Sequence, residues 1–224
     1  MQPFNLKEKI PQEEFDYQTL VGALAAYTAP RDKITSLIKQ DVIIRVKKGV
    51  YVFGKAWRRR PYSLETLANL IYGPSYISLE YALQFYGLIP EQVRTVTSVT
   101  TGRSCRFSTP VGDFSYWKIP VKAFASGMDL LQNPSGGAYL IAVPEKALTD
   151  KIQSERGLPI RSRGDIERYL IENLRMDIDD LAQLSVKRIE EYAVLYRSQK
   201  ARSLAAFIRD GSTPSRQSVR VPQQ

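Results

Sequence analysis

The chain has 224 residues, of which 43% are hydrophobic and 25% charged, and a formal net charge of +9 at pH 7. Such a length suits one large or two modest domains with hydrophobic cores. The sequence has no histidine and a single cysteine, Cys105, which excludes Ser-His-Asp and Cys-His catalytic pairs, histidine-containing metal sites and an intrachain disulfide. Its longest apolar stretch near the N-terminus, Leu20–Ala26, is too short to span a bilayer, and no signal peptide pattern is seen. We therefore expect a cytoplasmic protein without a membrane anchor.

The net charge is concentrated in the segment Arg31–Arg60. This segment carries ten Lys/Arg against two Asp, a net charge of +8, whereas residues 1–30 sum to −2 and residues 61–224 to +3. A localised positive field attracts a polyanion, and the phosphate backbone of a nucleic acid is its natural partner. Because charge runs are usually solvated surfaces without a ligand, the secondary structure of the segment has to decide between the two interpretations.

Three helices are predicted in the first forty residues or so. Residues 4–10 favour a short first helix, and Glu14–Tyr27 has apolar residues at helical spacing, which predicts a second. Pro30 suits the first turn of a third helix, because proline lacks the amide that a first turn leaves unpaired. This third helix places Ile34 and Leu37 on one face and only polar side chains on the opposite face.

The periodicity then changes from helix to strand. Val42–Val46 is mostly β-branched and Val50–Phe53 is β-branched and aromatic, so both are predicted strands. Lys47, Lys48 and Gly49 form the predicted turn between them, with Gly49 in the left-handed position. Three helices followed by a basic-tipped hairpin are typical of a winged helix-turn-helix domain, in which the third helix enters the major groove and the hairpin tip contacts the adjacent backbone.

Polar and basic side chains of this segment are candidates for DNA contact. Those on the third helix are placed to reach base edges or nearby phosphates, and the hairpin cations to reach phosphates. The arginines that follow the hairpin are expected to track the backbone or enter a narrow minor groove. The candidates are Arg31, Lys33, Thr35, Ser36, Lys39 and Gln40 on the helix, Arg45, Lys47 and Lys48 on the hairpin, and Arg58, Arg59 and Arg60 in the connector.

A second, larger domain is predicted after the connector. Its predicted elements are helices at Ser63–Tyr72 and Ser78–Tyr86 with serine caps, strands at Val93–Thr101, Arg106–Thr109, Asp113–Ile119 and Ala138–Val143, a helix starting at Pro144, and helices through Asp165–Arg209 with breaks near Met176 and Ser185. Residues 211–224 have little to bury and are predicted to be a disordered tail. The predicted fold is α+β, with a winged helix-turn-helix domain (residues 1–60) followed by a mixed α/β domain with C-terminal helices (residues 61–210).

Several sequence blocks of this chain resemble one protein family. The blocks are Arg45–Tyr51, Ser75–Leu83 with Tyr86–Glu91, Thr100–Arg103, Thr109–Tyr116 and Pro144–Leu148. Their order and spacing over residues 15–152 resemble the AbiEi family of antitoxins from bacterial abortive-infection toxin–antitoxin systems. The resemblance implies a transcriptional autorepressor that binds inverted repeats of double-stranded DNA in its own promoter. It also implies that the second domain is needed to neutralise a nucleotidyltransferase-like toxin, without requiring a stable complex with it.

Two acidic groups bear on the alternative of an enzyme. Asp177 and Asp179 have the spacing that nucleotidyltransferases use to hold Mg²⁺, but they lie at a predicted helix break and suit a helix N-cap. Glu145 and Asp150 lie five residues apart and do not share one helix face. We therefore predict no catalytic, metal or cofactor site. An RNA-binding module, a winged-helix regulator without a toxin and a protein-only interaction module stay as alternatives.

Overall fold

The protein has an α+β fold, seen here in a computed structural model that describes residues 3–133, 136–157 and 159–211. The N-terminal part contains, in chain order, α1 (Pro3–Lys9), β1 (Glu14–Asp16), α2 (Tyr17–Ala23), α3 (Pro30–Lys39), β2 (Ile43–Lys47) and β3 (Val50–Phe53). The three strands form an antiparallel sheet in the order β1-β3-β2. A hydrophobic cluster joins this sheet to the three helices, through buried residues that include Leu6, Leu20, Ile34, Leu37 and Phe53.

The remaining elements build a larger α+β unit. Its strands are β4 (Ser75–Ile77), β5 (Val96–Thr100), β6 (Cys105–Thr109), β7 (Gly112–Lys118), β8 (Met128–Gln132) and β9 (Ala138–Ala142). Its helices are α4 (Leu64–Ile71), α5 (Leu79–Phe85), α6 (Val121–Phe124), α7 (Pro144–Ser154), α8 (Arg163–Arg168), α9 (Ile178–Ala182), α10 (Val186–Tyr196) and α11 (Gln199–Gly211). A π-helical turn, Tyr169–Asn173, continues α8.

The six strands of this unit form one mixed sheet in the order β6-β7-β5-β4-β9-β8. Helix α4 packs on β4, β5 and β9, whereas α5 contacts β5 and α7, and α7 in turn contacts α10 and α11. The hydrophobic core of the unit extends into the N-terminal part, because Val46, Val50 and Val52 belong to the same cluster as Leu67 and Ile71. The hairpin β2–β3 is therefore packed on both sides.

The second predicted helix, Glu14–Tyr27, is wrong at both ends: its first three residues form a strand, and the helix already ends at Ala23. Glu14–Asp16 is the strand β1, and the helix begins only at Tyr17. Phe15 explains the difference, since its ring packs against the rings of Tyr51 and Phe53 on the neighbouring strand, with centroid distances of 6.2 and 4.9 Å. Asp16 then caps the helix by accepting a hydrogen bond from the Thr19 amide at 2.8 Å, which lowers the pKa of its carboxyl group.

The third helix and the hairpin agree with the prediction. Pro30 opens α3, Ile34 and Leu37 are buried, and Gly49 has a φ of +91° in the turn. One boundary differs: Lys47 belongs to strand β2 and not to the turn. An irregularity between Arg45, which pairs with Tyr51, and Lys47, which pairs with Val50, accommodates one extra strand residue.

The second unit follows the predicted pattern except for short elements and for a further break at Arg197, whose left-handed backbone divides the last predicted helix into α10 and α11. Ser63 caps α4 as predicted, but Ser78 donates its hydroxyl hydrogen to Asp150 and makes no cap bond to α5. The pattern does not predict β4, β8 or α6. Residues 212–224 of the predicted tail lie outside the described residues, and Gly211 is the last residue of α11. Among the described helices, none is both long and apolar enough to cross a membrane.

Candidate nucleic-acid interface

An open groove of about 830 Å³ lies between helix α3 and the hairpin β2–β3. It is lined by Tyr17, Arg31, Ile34, Thr35, Arg45, Lys48, Gly49 and Tyr51. Four of these residues, Arg31, Thr35, Arg45 and Lys48, are among the twelve side chains predicted to contact DNA, and all four are exposed. The structure thus brings together three cations, one from helix α3 and two from the hairpin that follows it.

The polar face of α3 divides into two flanks. Arg31 and Thr35 are one turn apart and face the groove, and the Thr35 hydroxyl donates to the Arg31 carbonyl at 3.1 Å. On the other flank, Lys33 lies 5.5 Å from the centroid of the Tyr27 ring. The remaining predicted residues, Ser36, Lys39 and Gln40, occupy the last turns of the helix, where the Gln40 amide donates to the Ser36 hydroxyl at 3.3 Å. The predicted contacts on α3 therefore do not all face one direction.

The hairpin tip is fixed to the start of α2. The Tyr17 amide donates to the Gly49 carbonyl at 2.8 Å, which uses an amide that the first turn of a helix leaves unpaired. At the other end of the hairpin, the Gly54 amide donates to the Val42 carbonyl at 2.9 Å. A side chain at Gly54 is excluded, because its Cβ would lie 1.9 Å from the Asp41 carbonyl oxygen. The hairpin that carries Arg45 and Lys48 is thus fixed at both of its ends.

Lys47 does not join the other hairpin cations. Its ammonium group donates to the Ile71 carbonyl at 2.9 Å, at the last residue of α4, and lies 4.0 Å from the centroid of the Phe107 ring. Helix C-terminal carbonyls carry partial negative charge and lack partners within the helix. The structure thus directs the Lys47 side chain into the second unit and not toward the groove, and its contact with a phosphate stays a prediction.

The connector arginines are held at their backbone. The amides of Arg59 and Arg60 donate to one carboxylate oxygen of Glu13, at 3.0 and 3.1 Å, and Glu13 pairs with the buried Lys7 at 2.8 Å. The Arg58 guanidinium lies 5.1 Å from the centroid of the Tyr62 ring. None of the three arginines lines the groove. They form a separate basic segment beside the junction of the two units.

Two aromatic residues of the groove, Tyr17 and Tyr51, were not anticipated as site residues. Tyr51 is buried and forms part of the groove floor, and Tyr17 is half-buried at the start of α2. Tyr51 lies in a predicted strand, so its place beside the hairpin cations follows from strand pairing. Tyr17 carries no such signal, because the strand β1 that precedes it depends on a contact with a distant part of the chain.

The second unit contains a buried charged cluster that the sequence does not reveal. Asp150 on α7 pairs with Lys146 and accepts hydrogen bonds from the hydroxyls of Ser78, at 2.8 Å, and Tyr196, at 2.5 Å. Burial lowers the pKa of Lys146 against the opposing effect of the Asp150 charge, and burial together with the Asp150 charge raises the pKa of Tyr196 beyond its usual range. Lys146 and Asp150 are both fully buried, so the cluster connects helices and is closed to a substrate.

The acidic groups considered as metal ligands do not assemble. Asp177 accepts from the Asp179 amide at 2.8 Å as the N-cap of α9, as the sequence predicts. Glu145 accepts from the amide of Ser185, at the start of α10. In the described part of the chain, no group of three or more Cys, Asp or Glu side chains is placed to hold a metal ion.

Comparison with known protein families and with curated proteins adds no assignment to this geometry. The chain matches no family model, and no curated protein is similar enough to count as a relative.

Proposed function

We propose that this protein is a DNA-binding transcriptional autorepressor and the antitoxin of a toxin–antitoxin operon. In this proposal, residues 1–60 are a winged helix-turn-helix domain, α3 is its recognition helix and the hairpin β2–β3 is its wing. The observation that carries the DNA-binding part is the groove between these two elements, which gathers Arg31, Arg45 and Lys48 within the most basic segment of the chain.

The charge arrangement fits duplex DNA better than an ordinary solvated surface. A recognition helix presents polar side chains to base edges while wing cations neutralise phosphates beside it. Here Arg45 and Lys48 project from the hairpin toward the same groove that Arg31 and Thr35 reach from α3. The exposed end of α3, with Ser36, Lys39 and Gln40, then supplies side chains for base recognition.

The antitoxin part of the proposal depends on the resemblance of the chain to the AbiEi family. We propose that the larger unit, residues 61–210, counteracts a nucleotidyltransferase-like toxin without a stable complex, and that the protein acts in the cytoplasm and is not itself an enzyme. A nucleotidyltransferase-like gene next to this reading frame would support the antitoxin role. Rescue of cells from that toxin by this chain is the direct assay, and growth arrest despite expression of the chain would refute it.

Duplex binding is tested by fluorescence anisotropy with DNA from upstream of this protein's own reading frame and with a random duplex of equal length. We expect tighter binding to the upstream DNA and a strong decrease of affinity with salt. Ser36→Ala and Lys39→Ala are expected to reduce the preference for upstream DNA over random DNA. Equal binding to both duplexes by the unsubstituted protein would refute a repressor that recognises its own promoter.

Two further measurements separate the alternatives. Competition by a structured RNA more effective than that by the upstream duplex would favour an RNA-binding module. Divalent-dependent turnover of nucleotides that disappears in Asp177→Ala would favour an enzyme; we expect no such turnover. We expect Asp177→Ala to cost only about 1 kcal/mol of stability, as the loss of a helix cap.

A further inference from the structure

We propose that Lys47 is a positioning residue: it fastens the hairpin β2–β3 to the second unit and thereby sets the position of Arg45 and Lys48 for DNA binding. The inference builds on the proposed DNA-binding function and assigns to Lys47 a role different from that of its basic neighbours. Its basis is the set of contacts that the Lys47 ammonium group makes across the junction between the two units.

The second unit supplies a complete site for this ammonium group. The Ile71 carbonyl accepts a hydrogen bond from it at 2.9 Å, and the Phe107 and Tyr72 rings lie 4.0 and 5.8 Å away. Ile71 is the last residue of α4, so its carbonyl lies at the negative end of that helix. A carbonyl and two ring faces together stabilise a cation that is partly removed from water.

The aromatic side of this site is itself held in place. Tyr72, Phe107 and Tyr116 form a three-ring cluster with centroid distances between 5.2 and 6.1 Å. The Tyr72 hydroxyl accepts from the Arg103 amide at 3.0 Å, and the Tyr116 hydroxyl donates to the Ala68 carbonyl at 2.7 Å. Contacts other than those with Lys47 thus fix the rings to α4 and to the sheet.

The position of Lys47 in the strand links these contacts to the groove. Lys47 lies between Arg45 and Lys48, and the extra strand residue before it allows its side chain to leave the groove side. Val46 and Val50 beside it are buried in the core of the second unit. Fixing Lys47 therefore also fixes the two neighbouring cations that line the groove, while the ammonium group of Lys47 keeps its charge but is directed away from the groove.

The test compares Lys47→Met with Lys48→Met in the full chain, using the upstream duplex at several salt concentrations. Methionine keeps most of the stem but removes the donor and the charge. For Lys47→Met we expect about tenfold weaker binding at each salt concentration and an unchanged salt slope. The variant loses the hydrogen bond that positions the hairpin, but it loses no contact with a phosphate. For Lys48→Met we expect the slope to fall by about 0.9, as for one lost phosphate contact.

Lys47→Arg and hydrogen exchange provide independent readouts. Arginine retains donors and stacks on aromatic rings, so we expect it to restore affinity to within about twofold, and a failure of this rescue would count against the proposal. In the Lys47→Met protein without DNA, we expect faster amide hydrogen exchange in β2 and β3 than in the unsubstituted protein, and an unchanged exchange rate in α1.

Each result has a distinct meaning. A flatter salt slope in Lys47→Met would show a phosphate contact and overturn the proposal, as would unchanged affinity together with unchanged exchange. If the unsubstituted protein binds no duplex, the proposed function itself fails and the DNA role of Lys47 falls with it. In that case, exchange in β2 and β3 still determines whether Lys47 fastens the hairpin.

Discussion

The salt dependence of DNA binding offers the sharpest test of the groove. The double substitution Arg45→Met with Lys48→Met removes both hairpin cations that line the groove and leaves Lys47 in its site on the second unit. Each phosphate contact contributes about 0.9 to the slope of log affinity against log salt concentration. If both side chains meet phosphates, the slope of the variant should be smaller in magnitude by about 1.8.

This difference is large enough to measure by anisotropy titration. Over a fourfold increase in salt, from about 50 to 200 mM, the unsubstituted protein should lose about twelvefold more affinity than the variant. Lys187→Met with Arg202→Met is a matched control, because it removes the same charge from exposed positions on α10 and α11. A slope that is equal in the groove variant and the unsubstituted protein, or one reduced equally by the control, would refute a phosphate-binding groove.

Three stability predictions follow from contacts outside the groove and are checked by urea unfolding. Asp150→Asn should cost about 3–5 kcal/mol, because it leaves the fully buried Lys146 without its counter-charge; a cost below about 1 kcal/mol would contradict a buried ion pair. Gly54→Ala should cost about 3 kcal/mol or more through its contact with a backbone carbonyl, whereas Gly22→Ala in α2, with open space at its Cβ, should gain up to about 1 kcal/mol. Burial raises the pKa of Glu14 above 4.5, so the folded state binds the proton of this carboxyl more tightly, and stability falls as pH rises from 4.5 through the folded-state pKa. The free energy of unfolding of Glu14→Gln, relative to that of the unsubstituted protein, should therefore be higher at about pH 7 than at about pH 4. An equal difference between the two proteins at both pH values would contradict this.

Much of the N-terminal part could be predicted because its signals are local. Pro30 fixes the start of α3, its apolar residues recur at helical spacing, and the β-branched residues around Gly49 specify a hairpin. The strand β1 could not be predicted in this way. Glu14–Asp16 has no strand pattern of its own, and it becomes a strand because Phe15 packs on Tyr51 and Phe53, almost forty residues away.

The burial of charged residues on α7 could not be predicted from the local sequence either. Glu145, Lys146 and Asp150 suit a solvated helix by composition, yet all three are buried. Partners from two distant elements compensate them: Ser78 before α5, and the Ser185 amide and the Tyr196 hydroxyl at the two ends of α10. A sequence pattern records the periodicity of a helix but not which polar groups will meet its charges from elsewhere.

In the candidate site, too, the sequence shows which residues are charged, whereas only the fold shows where their side chains lie. Charge and periodicity identify Arg31–Arg60 as the basic segment, but they assign one role to all its cations. The contacts separate them: Arg31, Arg45 and Lys48 line the groove, whereas the Lys47 ammonium group contacts the Ile71 carbonyl and the Phe107 ring. A cation held at a helix end and over a ring stabilises the fold and makes no direct contact with a ligand in the groove. The DNA binding that we propose should therefore depend on fewer cations than the sequence offers, and on a second unit that holds them in position.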